Sequence, residues 1–291
     1  MREPTQEPVR DTTQSKAQNT TQNTTRIAIG VEYDGAKLSG WQQQASPELP
    51  TVQGILQTAL AQIADEPVRL TVAGRTDAGV HATGQVAHFD CHTERAGNRG
   101  NKAWVAGSNS LLPANIRVNW ATTVPNQFHA RFSAQARRYI YVIQTQDVAP
   151  AILSNKVSWS RQHLDAPAMH RAAQHLLGEQ DFTSFRAAGC QSNTALRCIQ
   201  QIAVYARNRF VVIDIQANAF LLHMVRNIAG ALMAVGRGEQ APEWIAKLLQ
   251  ARDRTQGEPT ASPDGLYLVH VSYPAEYALP NQPVLPPFVG D

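Results

Sequence analysis

The residues most suited to chemistry lie in one glycine-rich segment, GRTDAGVHATGQ at residues 74–85. Its glycines permit tight or left-handed backbone, so the segment can form a loop that directs Asp77 away from neighbouring strands. Gly79 and Gly84 have the spacing of a phosphate-binding loop, but Gln85 stands where that motif requires lysine. An aspartate beside glycine is most often a turn residue, whereas an accessible carboxylate can also be a base or nucleophile. Both interpretations of Asp77 stay open at this point.

Histidine and cysteine side chains follow the same segment, at His81, His88, Cys91 and His92. Their spacing matches neither the finger and ribbon patterns of zinc proteins nor the signature of zinc nucleobase deaminases. On a strand, His88 and His92 would share one face while Cys91 points to the other. We therefore expect no metal site. The chain has three cysteines and no CxxC spacing, which favours reduced thiols over a disulfide framework.

Two further segments interleave aromatic residues with arginines, FHARF at 128–132 and RRYIY at 137–141. Aromatic rings can stack on unpaired bases while arginines bind the phosphates. The alternative is that Tyr139 and Tyr141 are core residues with satisfied hydroxyl groups. The core role suits Tyr141 better than Tyr139.

Arg226 stands out because it lies in an otherwise apolar segment, FLLHMVRNI at 220–228. A buried guanidinium without a partner is costly, so a carboxylate should lie beside it, and Asp77 is the candidate. The alternative is that Arg226 extends to solvent from the edge of the helix.

Positive charge is unevenly distributed, although the net charge is only +3. Residues 95–146 contain no Asp or Glu, and residues 182–238 contain six arginines against one acid. Arginine has a planar fork that suits phosphate and a flat face that stacks on bases. The distribution predicts a phosphate-rich partner, most simply a nucleic acid. Ordinary solvated surfaces remain the alternative.

Hydrophobic periodicity predicts an α+β fold. Alternation predicts strands at 26–33, 68–72, 85–90 and 116–124, with helices at 52–63 and 102–112 between them. The second half repeats the order, with strands at 138–144, 199–205, 210–215 and 266–273 and helices at 166–177, 219–235 and 242–252. Two ferredoxin-like β-α-β-β-α-β halves are the economical interpretation.

Composition supports a folded, soluble chain, because 43% of the 291 residues are hydrophobic and 17% are charged. The most apolar long segment, 217–236, is interrupted by charged and polar side chains and does not suit a membrane span. We predict a disordered tail at 1–25, an N-terminal half at 26–125, a C-terminal half at 126–280 and an irregular tail at 281–291. Residues 1–25 also lack the apolar run of a secretory signal.

Together these segments closely resemble the tRNA pseudouridine synthase A family, over about residues 26–280. The matching motifs are YDG (33–35), GWQ (40–42), GRTDAGVHA (74–82), GQV (84–86), FHARFS (128–133), RY (138–139), DFTSFR (181–186), NAF (218–220), HMVRNI (223–228), RDR (252–254) and GLYL (265–268). GRTDAGVHA is highly specific. The chain departs from the family pattern at Leu38, Asn115 and residues 257–263, positions that bear on folding detail and on contacts with tRNA.

The resemblance implies a cofactor-independent isomerase that converts uridines 38, 39 and 40 of the tRNA anticodon stem-loop to pseudouridine. It also implies a homodimer and two ferredoxin-like halves whose antiparallel sheets flank a basic cleft. The cysteine pattern described above predicts a cytoplasmic location. By position, Asp77 resembles the catalytic aspartate, Tyr139 the tyrosine that stacks on the target uracil, Arg226 the arginine that pairs with the aspartate, and Arg75 the residue that displaces the target nucleotide. Arg131, Arg137 and Arg138 are further candidates for RNA binding. A non-catalytic RNA-binding protein or RNA chaperone is the alternative, and Asp77 separates the two, because a carboxylate in an electropositive groove disfavours phosphate binding.

Overall fold

The computed structural model describes residues 24–43, 49–94 and 100–290. The tail predicted as disordered at 1–25 lies outside these ranges apart from Thr24 and Thr25. The prediction is wrong for these two residues, because they pair as strand residues with His92 and Cys91.

Ten strands and five helices form the regular structure of the described residues. The strands are β1 (Thr24–Tyr33), β2 (Thr71–Val72), β3 (His81–His92), β4 (Ile116–Val124), β5 (Ala136–Thr145), β6 (Ser158–Ser160), β7 (Gly178–Asp181), β8 (Leu196–Arg207), β9 (Phe210–Ala217) and β10 (Leu266–Ser272). The helices are α1 (Val52–Ala64), α2 (Gly100–Leu111), α3 (Ala166–Gln174), α4 (Met224–Gly236) and α5 (Trp244–Ala251).

The strand order shows two ferredoxin-like halves. In the N-terminal half, β1–β4 with α1 and α2, the order is β4-β1-β3 with β2 paired to β3. In the C-terminal half, β5–β10 with α3–α5, the order is β10-β5-β9-β8, and β7 extends it. Each half therefore has its last strand beside its first, as the ferredoxin-like arrangement requires. The predicted α+β class is confirmed.

The two halves share one continuous sheet instead of forming two separate ones. The connection is the parallel pairing of β3 with β10, in which His81 is opposite Tyr267 and Ala82 is opposite Leu268. The largest cluster of buried apolar side chains includes residues of both halves. The predicted boundary at 125/126 falls between β4 and β5, and the assignment of the halves as separate domains stays a prediction.

Local sequence explains why α1 begins where predicted. The Thr51 side chain accepts a hydrogen bond from the backbone N–H of Gly54, which satisfies one of the free amides of the first turn. Val52, Leu56 and Leu60 recur at helical spacing and are fully buried. The apolar stripe therefore fixes the face that α1 packs against the sheet.

The prediction of a helix at 219–235 is wrong for its first five residues. The helix α4 begins at Met224, because His223 has left-handed backbone angles, φ 58° and ψ 8°, that interrupt the run of helical hydrogen bonds. The preceding residues form a turn, in which the Met224 N–H donates to the Leu221 carbonyl at 3.1 Å. Apolar spacing continues through 219–223 and conceals this break.

Smaller differences occur at short or polar elements. Of the strand predicted at 68–72 only Thr71–Val72 is regular, and α3 ends at Gln174 instead of 177. The strands β6 and β7 were not predicted, because SWS and GEQD show no apolar alternation.

The other face of the C-terminal sheet has its own apolar cluster. Ile140, Val142, Val212 and Val269 are fully buried there. The end of the chain covers this face, with Val289 only 2% exposed. The segment predicted as an irregular tail is therefore irregular in structure but packed. No helix in the described part of the chain is long and apolar enough to cross a membrane.

Candidate active site

The loop between β2 and β3 carries Asp77 and is held by close backbone packing. Gly40 has φ +87°, and a Cβ atom there would lie 2.8 Å from the Thr76 carbonyl oxygen. The next residue, Trp41, donates its backbone N–H to that oxygen at 3.0 Å. At Gly35 a Cβ atom would lie 2.0 Å from the Val80 carbonyl oxygen. The segment around 35–41 can therefore contact the loop this closely only because it is glycine-rich.

A buried hydrogen-bond network fixes the same loop to the sheet. The Tyr33 hydroxyl lies 2.7 Å from Thr76 Oγ1 and accepts from Gln85 Nε2 at 3.2 Å. Gln85 Nε2 also donates to the Gly74 carbonyl at 2.8 Å. Burial raises the pKa of Tyr33 to about 12, against the smaller opposing effects of these hydrogen bonds. Tyr33 is therefore neutral at physiological pH, and its hydroxyl ties the loop to β1 and β3.

The Asp77 carboxylate faces two side chains from the C-terminal half. Its Oδ2 lies 3.5 Å from Arg226 Nη1 and 3.4 Å from His223 Nε2. The Asp77 side chain is 27% exposed and the Arg226 side chain 13% exposed. The predicted contact between Asp77 and Arg226 is thus present, and one side of the carboxylate remains open to solvent.

Arg226 is held in place by a second contact. Its Nε donates to the Ala261 carbonyl at 2.8 Å, while the Ala261 N–H donates to the Arg226 carbonyl at 3.3 Å. The guanidinium therefore divides its donors between a backbone carbonyl and the side that faces Asp77. Both contacts need the planar fork of arginine.

His223 was missed in the sequence, where it lies inside an apolar run of apparent helix. Its left-handed backbone places it immediately before α4, and a non-glycine residue rarely has that conformation. Strained residues of this kind are often found at functional sites. The positive φ, which sequence spacing does not reveal, brings the imidazole next to Asp77.

Tyr139 lies on β5 and is 8% exposed. Its ring packs edge-to-face against Phe220, with centroids 5.1 Å apart. Burial raises the pKa of Tyr139 well above its ordinary value, and the nearby Tyr33 and Asp77 raise it further. The hydroxyl has no hydrogen-bond partner among the described residues. Tyr141, two residues on, is fully buried and donates to the Ser262 carbonyl at 2.8 Å, as expected for a core tyrosine.

The remaining arginines predicted to bind RNA differ in their exposure and in whether their guanidinium groups already bind other groups of the protein. Arg75 is exposed and donates to Gln191 Oε1 at 3.0 Å, across the junction of the halves. Arg131 is exposed. Arg137 is 9% exposed and donates to backbone carbonyls of 73, 131, 134 and 218. Arg138 pairs with Asp214, with Nε 2.8 Å from Oδ1. The guanidinium groups of Arg137 and Arg138 therefore already have protein partners.

The histidines and cysteines considered above as metal ligands have other partners. His81 Nδ1 accepts from the Gly35 N–H at 3.1 Å, and its ring stacks on Tyr267. His88 Nδ1 accepts from the Ala130 N–H at 3.1 Å. In the described ranges no group of three or more His, Cys, Asp or Glu side chains is arranged to hold a metal ion.

Comparison with known proteins places these residues in a family. The family described as tRNA pseudouridine synthase matches residues 29–133 and 172–274, which include Asp77, His223 and Arg226. The chain belongs to the tRNA pseudouridine synthase family. Tyr139 lies between the two matched segments.

Individual members of the family are similar over nearly their whole length. A protein named tRNA pseudouridine synthase A from Coxiella burnetii is 52% identical over 264 residues, which is 91% of this chain and 99% of that protein. Proteins of the same name from Aeromonas salmonicida and Vibrio cholerae are each 54% identical over 266 residues, 91% of this chain, and the match covers 97% and 98% of those proteins.

Proposed function

We propose that this protein isomerises uridine to pseudouridine in tRNA, at positions 38, 39 and 40 of the anticodon stem-loop, with Asp77 as the catalytic residue. The supporting observation is the partly open Asp77 carboxylate, held 3.5 Å from Arg226 on a loop that glycine packing and buried hydrogen bonds fix in place. A protein that only binds RNA has no need of a carboxylate there.

The reaction breaks the N1–C1′ glycosidic bond and forms a C5–C1′ bond in its place. The proton of C5 is lost and N1 gains one, so substrate and product have the same composition. Asp77 can act by covalent addition at C1′ or C6, or by removing the C2′ proton to give a glycal. All three routes need a carboxylate oxygen beside the glycosidic bond of the target nucleotide, within reach of the ribose or of C6, and Arg226 and His223 would orient it.

The uridine must leave the stacked RNA before Asp77 can reach it. Extruding a nucleotide costs a few kcal/mol, which contacts with the protein must offset. The Tyr139 ring would stack on the uracil, and Arg75, which is exposed at the junction of the halves, would occupy the space that the nucleotide leaves. Arg131 would bind phosphate. Arg137 and Arg138 would act mainly through the backbone segments and the strand pairs that they hold.

Two further proposals concern the state of the protein in the cell. We infer a homodimer, which the exposed apolar side chains of Val148 (74%) and Ile152 (96%) support, because such groups often mark contacts between proteins. Sedimentation of wild type and Ile152→Asp tests it. We also infer a cytoplasmic location, which the three cysteines support, because none forms a disulfide and reduced thiols are typical of that compartment.

Chemical mapping of pseudouridine tests the function directly. Unmodified tRNA is incubated with wild type, Asp77→Asn and Asp147→Asn, without added cofactor. Wild type and the control Asp147→Asn, which changes an exposed carboxylate, should give product at positions 38–40. Asp77→Asn should give none while its dissociation constant for tRNA changes less than about threefold. Product from Asp77→Asn at the wild-type rate would disprove the catalytic assignment.

A further inference from the structure

An exposed aromatic ring lies in the connection between β4 and β5. Phe132 is 75% exposed, and its ring stacks on His129 with centroids 4.3 Å apart and an interplanar angle of 28°. The Cζ atom of Arg131 lies 5.5 Å from the centroid of the same ring. We call these three side chains the Phe132 platform. Nothing in the proposed isomerisation requires an aromatic ring there.

The turn that presents the ring is fixed by its own hydrogen bonds. His129 Nδ1 accepts from the backbone N–H groups of Arg131 and Phe132, both at 3.2 Å. The His129 N–H donates to Ser133 Oγ at 3.0 Å, and the Ser133 N–H donates to the His129 carbonyl at 2.8 Å. Burial and the charges of Arg26 and Arg131 lower the pKa of His129, so Nδ1 remains an acceptor at neutral pH. A ring held in this way loses little conformational freedom when it binds a partner.

The platform lies next to the loop that carries Asp77. Arg137 Nη2 donates both to the Arg131 carbonyl at 2.6 Å and to the Ala73 carbonyl at 2.9 Å. Ala73 is the first residue of the loop between β2 and β3 that carries Asp77. One nitrogen atom therefore holds the segment that carries the Phe132 platform against the loop that carries Asp77.

The charge around the ring suits a nucleotide. Arg131 is exposed and forms no ion pair with any described residue, and residues 95–146 contain no acidic side chain. An open ring stacks on any base, and an adjacent guanidinium binds phosphate. An apolar protein partner would use the ring but would leave the Arg131 charge without a counterion.

We propose that the Phe132 platform binds an unpaired nucleotide of the substrate RNA other than the one that is isomerised. The base stacks on the Phe132 ring, and the phosphate pairs with Arg131. This inference rests on the proposed function and extends it to a second point of contact with the RNA. Because the contact is the same before and during the reaction, it lowers KM and leaves kcat unchanged.

Steady-state kinetics on unmodified tRNA transcripts test the platform, with Phe132→Ala, Phe132→Trp and Leu111→Ala as variants. Phe132→Ala should raise KM about tenfold, equivalent to about 1.4 kcal/mol, at unchanged kcat. Phe132→Trp should restore the wild-type KM, because indole also stacks. Leu111→Ala removes an exposed apolar side chain at the end of α2 and serves as the control. Arg131→Gln should reduce the slope of log Kd against log salt by about 0.7–0.9.

The outcomes separate this inference from the proposed function. If wild type forms pseudouridine and Phe132→Ala keeps the wild-type KM, the platform is disproved and the function stands. If wild type forms no product, the function fails, and equal dissociation constants of wild type and Phe132→Ala for tRNA would then disprove the platform as well. A change in sedimentation without a change in RNA affinity would assign the ring to a protein contact and overturn the inference.

Discussion

Asp77 and Arg226 belong to different halves of the chain, yet Asp77 Oδ2 lies 3.5 Å from Arg226 Nη1. The aspartate is carried by the loop before β3, and the arginine by the first turn of α4. Strands β3 and β10 join the halves beside this pair. The site therefore depends on the junction of the two halves and not on either half alone.

Arg226→Lys should lower kcat for pseudouridine formation by at least tenfold and also lower the melting temperature. One ammonium group cannot both donate to the Ala261 carbonyl and face Asp77. Activity assays and thermal unfolding measure the two effects. Arg171→Lys, which changes an exposed arginine on α3, is the control and should alter neither. A wild-type kcat and melting temperature for Arg226→Lys would show that the two contacts of the Arg226 guanidinium are unimportant.

His223→Asn should reduce activity while the free energy of unfolding changes by less than about 0.5 kcal/mol. Asparagine tolerates left-handed backbone angles nearly as well as histidine does, so the turn before α4 is preserved. The shorter side chain cannot reach the Asp77 carboxylate. Comparison of kcat with urea unfolding separates the two properties. Full activity in this variant would mean that the 3.4 Å contact has no part in the reaction.

The two buried tyrosines of the site should respond differently to loss of the hydroxyl group. Tyr33→Phe removes the partner of Thr76 and Gln85 and should cost about 1–3 kcal/mol of unfolding free energy. Tyr139→Phe should cost less than about 0.5 kcal/mol, because its hydroxyl has no partner among the described residues. Urea unfolding of both variants measures the difference. Equal losses would contradict the network described here.

The stability of the fold should decrease in mild acid through His88. Burial is the main reason why the pKa of His88 is lowered to about 4, and its Nδ1 accepts from the Ala130 N–H. In the unfolded chain the pKa returns to its ordinary value near 6.5. Between these values only the unfolded chain binds the proton, so the contribution is complete above about pH 6.5 and is lost as the pH falls to about 4. It amounts to at most about 3 kcal/mol.

Urea unfolding at about pH 7.5 and about pH 4.5 checks this expectation. His88→Asn keeps an acceptor near the position of Nδ1 but does not titrate, so its unfolding free energy should fall less on acidification. His163→Asn changes an exposed histidine and should behave like wild type. The same acid sensitivity in His88→Asn as in wild type would assign the effect to other groups.

Much of the fold follows from apolar periodicity. The alternation at 116–124 predicted β4 with its observed bounds, and the strands predicted at 199–205 and 210–215 lie within β8 and β9. The helix prediction was wrong around His223. Its positive φ interrupts the helix in a segment where the apolar residues keep helical spacing. The apolar pattern also did not show that β3 and β10 pair. Which strands meet at a sheet edge depends on packing between residues that are far apart in the sequence.

The candidate site was predicted to a similar extent. The contact of Asp77 with Arg226 followed from the cost of a buried guanidinium and from the resemblance to a family. Arg137 and Arg138 were predicted to bind RNA because their charge suits phosphate, but charge alone does not tell which donors the protein already uses. In the structure backbone carbonyls engage Arg137, and Asp214 engages Arg138.

The end of the chain has a practical consequence. Phe288 packs on Phe210 and Tyr267, with ring centroids 5.8 and 6.0 Å apart, and Val289 is almost completely buried. A proline-rich C-terminal segment is easily taken for a dispensable tail. Truncation before these residues would expose an apolar face of the C-terminal sheet to solvent. Such a face favours aggregation, so a truncated chain that precipitates would say nothing about whether its catalytic loop is intact.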